Sequence, residues 1–198
     1  MFHQQPYKMN GKMKTIAYVR EKSWLSWVVV ISVTLCLNRP LLAQVSAGGQ
    51  PYTFANPVAD TIPTVIMGSV DVAALLAEDA AEAEQGKHVP PRFGYPFEVD
   101  LGLESAGTWT ELPGGDRVWR LRIVSPGAYS INLLYDEFDL PEGAKFFIYN
   151  EDRSMVLGAF TSMNKKDHGK FSTGPVQGSV SILEYYEPTY VEKRGVLL

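Results

Sequence analysis

Cysteine is nearly missing from this chain of 198 residues: the single one, Cys36, lies inside an apolar N-terminal run. A product cleaved after that run has no thiol, which excludes disulfide scaffolds and cysteine-based metal sites. Histidine is scarce as well. Of the three, only His88, beside a proline pair, and His168, in a charged loop, lie beyond the run. A Ser/His/Asp site would have to use one of them, and neither setting suits it. The chain also lacks G-x-S-x-G, H-E-x-x-H, G-x-x-x-x-G-K and G-x-G-x-x-G, so the common nucleophile-elbow, zincin and phosphate-loop chemistries have no anchor. No repeat of fixed period is present, which argues against a propeller or solenoid.

Long hydrophobic runs are lacking too. The longest, residues 24–37, is about 14 residues, short of the roughly 20 needed to span a bilayer. It follows Lys8, Lys12, Lys14, Arg20 and Lys22 and precedes small residues, the pattern of a removed export signal. Residues 1–43 are therefore read as a signal peptide cleaved after Ala43, with Ala47 as the other option, and the product as exported. Cleavage removes six basic residues and one acidic one and moves the net charge from −4 to −9. An acidic product disfavours nucleic acid and anionic membranes and admits basic protein surfaces or cations as partners.

What is present is a β pattern. Trp119, Leu121 and Ile123 alternate with Arg120, Arg122 and Val124, which predicts a strand with Trp119, Leu121 and Ile123 buried and both arginines outward. Turns at 113–116 and 125–127 predict antiparallel neighbours at 108–112 and 129–135. Further strands are expected at 97–101, 144–150, 155–161, 171–178 and 180–187, with 136–143 and 162–170 as loops. Seven to eight short strands with little helix between them predict a mainly β fold, an antiparallel β-sandwich, with a barrel second. The sandwich is assigned to residues 91–190. Before it, residues 44–70 are rich in Gly and Pro and read as an extended pro-type segment, a tether lying over something else. Residues 71–90 read as an amphipathic helix and a Pro-rich hinge: Asp71 caps the helix, Val72, Leu75, Leu76, Ala80 and Ala83 form its apolar face, and Gly86 ends it. Packing of that face on the domain is the first expectation and docking to a partner domain the second. Residues 191–198 read as the start of a continuation or linker, so that 195–198 should pack poorly beside an exposed apolar sheet edge.

No catalytic, cofactor-binding or metal-ligating residue is assigned, and no cofactor is expected. The densest oxygen-ligand group, Asp136, Glu137, Asp139 and Glu142, has the chemistry for calcium but matches no known loop spacing; a solvated turn is the preferred reading. Trp109, Trp119, Tyr129 and Tyr135 could stack on sugars, yet aromatics alternating in strands are usually core. Arg120 and Arg122 are expected in cross-strand pairs with residues such as Glu111.

The series GGQPYTF, VDVAALLAEDAAE, the stretch from PPRFGYPFEVDLG to AFTSMNKK, and ILEYYEP resembles the N-terminal region of secreted bacterial trypsin-like serine peptidase precursors of the lysyl-endopeptidase type. The match runs in order over about 140 residues. The resemblance implies a region that precedes a chymotrypsin-fold peptidase domain in cis, or meets one in trans. This sequence carries no part of that domain, so no catalytic residue transfers. The expected function is that of a non-catalytic pro- or accessory domain, either from a truncated reading frame or as a stand-alone homologue. The competing expectation is a secreted β-sandwich that binds carbohydrate or a cell-surface ligand.

Overall fold

Strand β3, Arg117–Val124, organises the fold because both of its faces and both of its edges are used. A computed structural model describes residues 46–58, 61–86, 90 and 92–198. The signal segment and His88 lie outside the described residues.

The fold is mainly β, with the described strands numbered in chain order: β1 Thr64–Ile66, β2 Thr108–Glu111, β3, β4 Ser130–Ile131, β5 Leu134–Tyr135, β6 Phe138–Asp139, β7 Lys145–Asn150, β8 Val156–Phe160, β9 Phe171–Ser172, β10 Val176–Gln177, β11 Val180–Glu187 and β12 Val196–Leu197. The main sheet runs β1-β3-β11-β7-β8, with β2 also on β3. β11 pairs antiparallel with β3 and β7 along nearly its whole length. The second layer consists of three short antiparallel pairs, β4 with β10, β6 with β12 and β5 with β9. Between the layers Trp119, Leu121, Phe146, Ile148, Leu183 and Tyr185 meet Tyr135, Phe138, Phe171 and Leu197. Phe138 and Phe171 have ring centroids 4.2 Å apart. At the end of this core, residues 102–107 fold over Trp119, whose Nε1 donates to the Ala106 carbonyl at 2.7 Å. Gly107 is required there: its φ is +76°, and a Cβ would lie 2.4 Å from the indole.

The expected inward face of β3 is observed, but the expected outward face is also covered. Arg120 is buried, and so is Glu184 beside it in register. The cover is the segment read as a tether. Ala47 N donates to the Ala159 carbonyl at 2.9 Å on the β8 edge. A helical turn, α1 (Tyr52–Ala55), then sits over the middle of the sheet. Finally β1 adds in parallel to β3, with Thr64, Val65 and Ile66 opposite Arg122, Ile123 and Val124. Residues 46–58 and 61–67 thus form a strap from one edge of the sheet to the other. Phe54 and Ile62 pack on Phe147, Tyr149, Ala159, Val180 and Ile182, a second apolar core beneath the strap.

Other expectations need correction. Residues 97–101 form no strand; β2 holds one half of the β3 edge and β1 the other, so that edge has no place for them. The strand expected at 129–135 breaks into β4 and β5 and leaves the meander for the second layer. The 136–143 loop contains β6, and Phe138 and Leu140 on either side of Asp139 enter the core. Residues 195–198 are not loose: β12 pairs with β6, Leu197 is 1 % exposed, and the Leu198 carbonyl accepts from Asp136 N at 2.6 Å. β12 takes one edge of β6, while Leu198 stays 52 % exposed.

Candidate docking surface

The helix α2, Val72–Glu84, begins where the sequence predicts, with Asp71 Oδ1 accepting from Ala74 N at 3.0 Å. It ends at Gly86, whose φ is +71°. Its apolar face is not packed on the domain: Leu75 is half-buried, Val72, Ala80 and Ala83 are exposed, and Leu76 is 63 % exposed. On the acidic side Arg92 donates to Glu78 at 2.8 Å and Asp79 at 3.1 Å. This holds the arm after the helix against it and keeps the arginine charged. Beyond Arg92 the arm carries Phe93, 99 % exposed, with Tyr95 and Val99 also in solvent. Tyr95 and Phe97 meet edge to face at 5.2 Å. Every described residue from 68 to 101 is exposed or half-buried, while the strap before it buries Pro51 and Thr53 and the sandwich after it is packed. Apolar side chains left in water on a helix and its adjoining arm mark a surface suited to a second body.

The chemistry inside the domain is concentrated on β11. On the strap side, Glu184 accepts from Thr53 N at 3.1 Å, from Thr53 Oγ1 at 2.5 Å and from Tyr149 Oη at 3.2 Å, with Arg120 directly opposite in register. A carboxylate this deeply buried is stable only when it is paired and hydrogen-bonded. Burial, then the Glu184 charge, pushes the Tyr149 phenol up to about 12. On the other face, Glu187 forms an ion pair with Arg117 and accepts from Tyr185 Oη at 2.9 Å and Gly195 N at 3.4 Å. A Cβ at Gly195 would lie 2.5 Å from Tyr185 Oη, so this close approach needs glycine. One buried glutamate therefore fastens the strap and the other fastens the β12 segment. Both sites are filled by the protein's own groups, so neither presents a reactive atom to a substrate.

The residues singled out from the sequence do not converge. His168 is exposed, and its Nδ1 accepts from Lys170 N at 3.1 Å. Asp136 pairs with Lys170 at 2.6 Å and Asp139 with Lys165 at 2.7 Å; among the described residues no group of three or more His, Cys, Asp or Glu could hold a metal ion. Trp119 and Tyr135 are core, Trp109 is half-buried edge-on to Tyr185 at 5.8 Å, and Tyr129 stands alone in solvent. The four make no sugar platform. Glu111 faces Arg117 rather than Arg120 or Arg122, and Arg122 pairs with Glu151 at 2.5 Å. An open groove of about 420 Å³ lies between residues 100–105 and 194–198, crossed by the Arg194–Glu104 ion pair. Among the described residues no helix is long and apolar enough to cross a membrane.

Sequence reasoning passed over Glu184 and Glu187, although a signal was there. Arg117-x-x-Arg120 on one strand and Glu184-x-x-Glu187 on another have the same spacing. Antiparallel pairing sets each arginine against a glutamate, one pair on each face because the spacing is odd. No protein-family model matches the chain, and no solved structure matches it.

Proposed function

We propose that this chain is the non-catalytic pro- or accessory domain of an exported trypsin-like serine endopeptidase, and that it acts on the peptidase domain, in cis or in trans, by surface complementarity. The observation that carries this reading into the fold is the apolar surface of α2 and the adjoining arm, with Val72, Leu76, Phe93, Tyr95 and Val99 left in solvent beside a well-packed sandwich. The ordered resemblance over about 140 residues supports a peptidase domain as the second body. The strap is not assigned to that contact, because Thr53, Phe54 and Ile62 are engaged by this domain's own sheet. The clasp is thus α2 and residues 92–101 alone.

The test adds the purified chain to a denatured secreted bacterial endopeptidase of the trypsin-like, lysine-specific class during refolding, and separately to the same enzyme when folded. Recovered activity should rise in the first arm, or hydrolysis should slow in the second. The paired change Leu76→Glu and Phe93→Ser should remove the effect and leave the sandwich folded. If neither arm responds and no complex elutes on size exclusion, the assignment falls.

A further inference from the structure

The strap has the attributes of a ligand that happens to be covalently attached. Its contacts form a self-contained set: backbone hydrogen bonds on the β8 edge, the Thr53–Glu184 bonds in the middle, Tyr52 stacked on Tyr186 at 5.9 Å, Phe54 edge-on to Tyr149 at 4.9 Å with Arg153 over its other side, and parallel pairing of β1 on β3. What joins it to the sandwich is the connector 68–101, in which no described residue is buried. Lifting the strap therefore breaks the strap's own contacts and nothing in the connector's packing. The connector sets the effective concentration of strap over its own sheet, on the order of millimolar for a short flexible link and less as the span grows.

We propose that the outer face of the main sheet is a peptide-binding seat for a Pro-Tyr-Thr-Phe segment, and that the strap of a second copy of this chain can fill it, giving strap-exchanged dimers. The occupant follows from identity: the second copy's strap forms the same bonds that the chain forms with itself, so exchange costs association entropy and no interaction energy. Glu184 selects the occupant, since a segment without a hydroxyl and a free N–H at the Thr53 position leaves a buried carboxylate unsatisfied. Exchange is independent of the peptidase reading above and uses residues other than Leu76 and Phe93.

Two full-length variants in a Cys36→Ser background test it, one with Thr64→Cys and the other with Arg122→Cys, positions that are Cα partners across the β1–β3 pair. Mixed, concentrated and then oxidised, they should give a cross-linked heterodimer that is absent from either variant alone. Its share should rise roughly in proportion to protein concentration. Thr53→Ala in both chains should make it appear faster. The single chain carrying both cysteines calibrates the geometry by closing on itself, and Ile66→Cys with Val124→Cys repeats the test two residues along the same register. If both single-chain controls close while neither mixture yields heterodimer at any concentration, the strap is a fixed part of the fold and the proposal is overturned.

Discussion

Tyr135 is the residue with most to gain from replacement. Its ring is wedged among Phe138, Phe146 and Phe171, and its hydroxyl is buried with no hydrogen-bond partner. Burial alone drives its acid dissociation well above the ordinary tyrosine range. Tyr135→Phe keeps the ring and deletes the orphan, so urea denaturation should find it neutral to about 1 kcal/mol more stable; a loss of that size would mean the hydroxyl is satisfied in solution. Tyrosines also set the alkaline limit. Tyr149 is pushed up to about 12 by burial and then by Glu184, and Tyr186 to about 12 by burial and then by its hydrogen bond to Asp116. A phenol whose folded pKa is raised contributes stability that is fully present below its unfolded value, about 10, and is lost as pH rises through the folded one. Stability should therefore decline between about pH 10 and 12, with tyrosinate absorbance and loss of β circular dichroism rising together; Tyr149→Phe should lessen the slope.

Among the elements, β12 and α2 should respond in opposite ways. Leu197→Ala removes a side chain clasped between the layers and should cost about 2–5 kcal/mol, measured by denaturant midpoint at constant slope. Leu76→Glu on α2 touches nothing buried and should change stability by less than about 0.5 kcal/mol. The reverse ranking would mean that the last strand is loose and the helix docked, as the sequence alone suggested. That suggestion failed for a physical reason: an apolar helical face and a terminal Val-Leu-Leu are legible as sticky, but which of them finds a vacancy depends on edges far away in sequence. Trp119, Leu121 and Ile123 were legible because alternation is local and the core beneath them is large. Residues 97–101 alternate equally well, yet β1 and β2 share the free edge of β3. The strap was illegible because its hold is scattered over backbone groups, the Thr53 hydroxyl and the side chains of Tyr52, Phe54 and Ile62, which follow no hydrophobic period; of the candidate surface, only the α2 face could be named in advance.

On the scale of the whole molecule, the tie between Thr53 and Glu184 joins residues 131 apart in sequence. As the chain leaves the ribosome, the strap is made first and its seat last, since β11 is the central strand of the sheet and lies near the C-terminal end. Until residue 187 is out, the strap can make neither its central bonds nor its parallel pairing on a finished β3–β11 ribbon. Folding is thus gated by the late arrival of one strand, and its rate should be that of a topology dominated by distant pairings, milliseconds to seconds rather than microseconds. In stopped-flow refolding, tryptophan fluorescence, which includes Trp119 in the inter-layer core and Trp109 packed against it, should report closure of that core before protection of the Ala47 and Met67 amides reports seating of the strap; simultaneous appearance of the two would remove the ordering. An N-terminal segment that must wait for its site is also one that can be held, handed over or threaded elsewhere before it is committed.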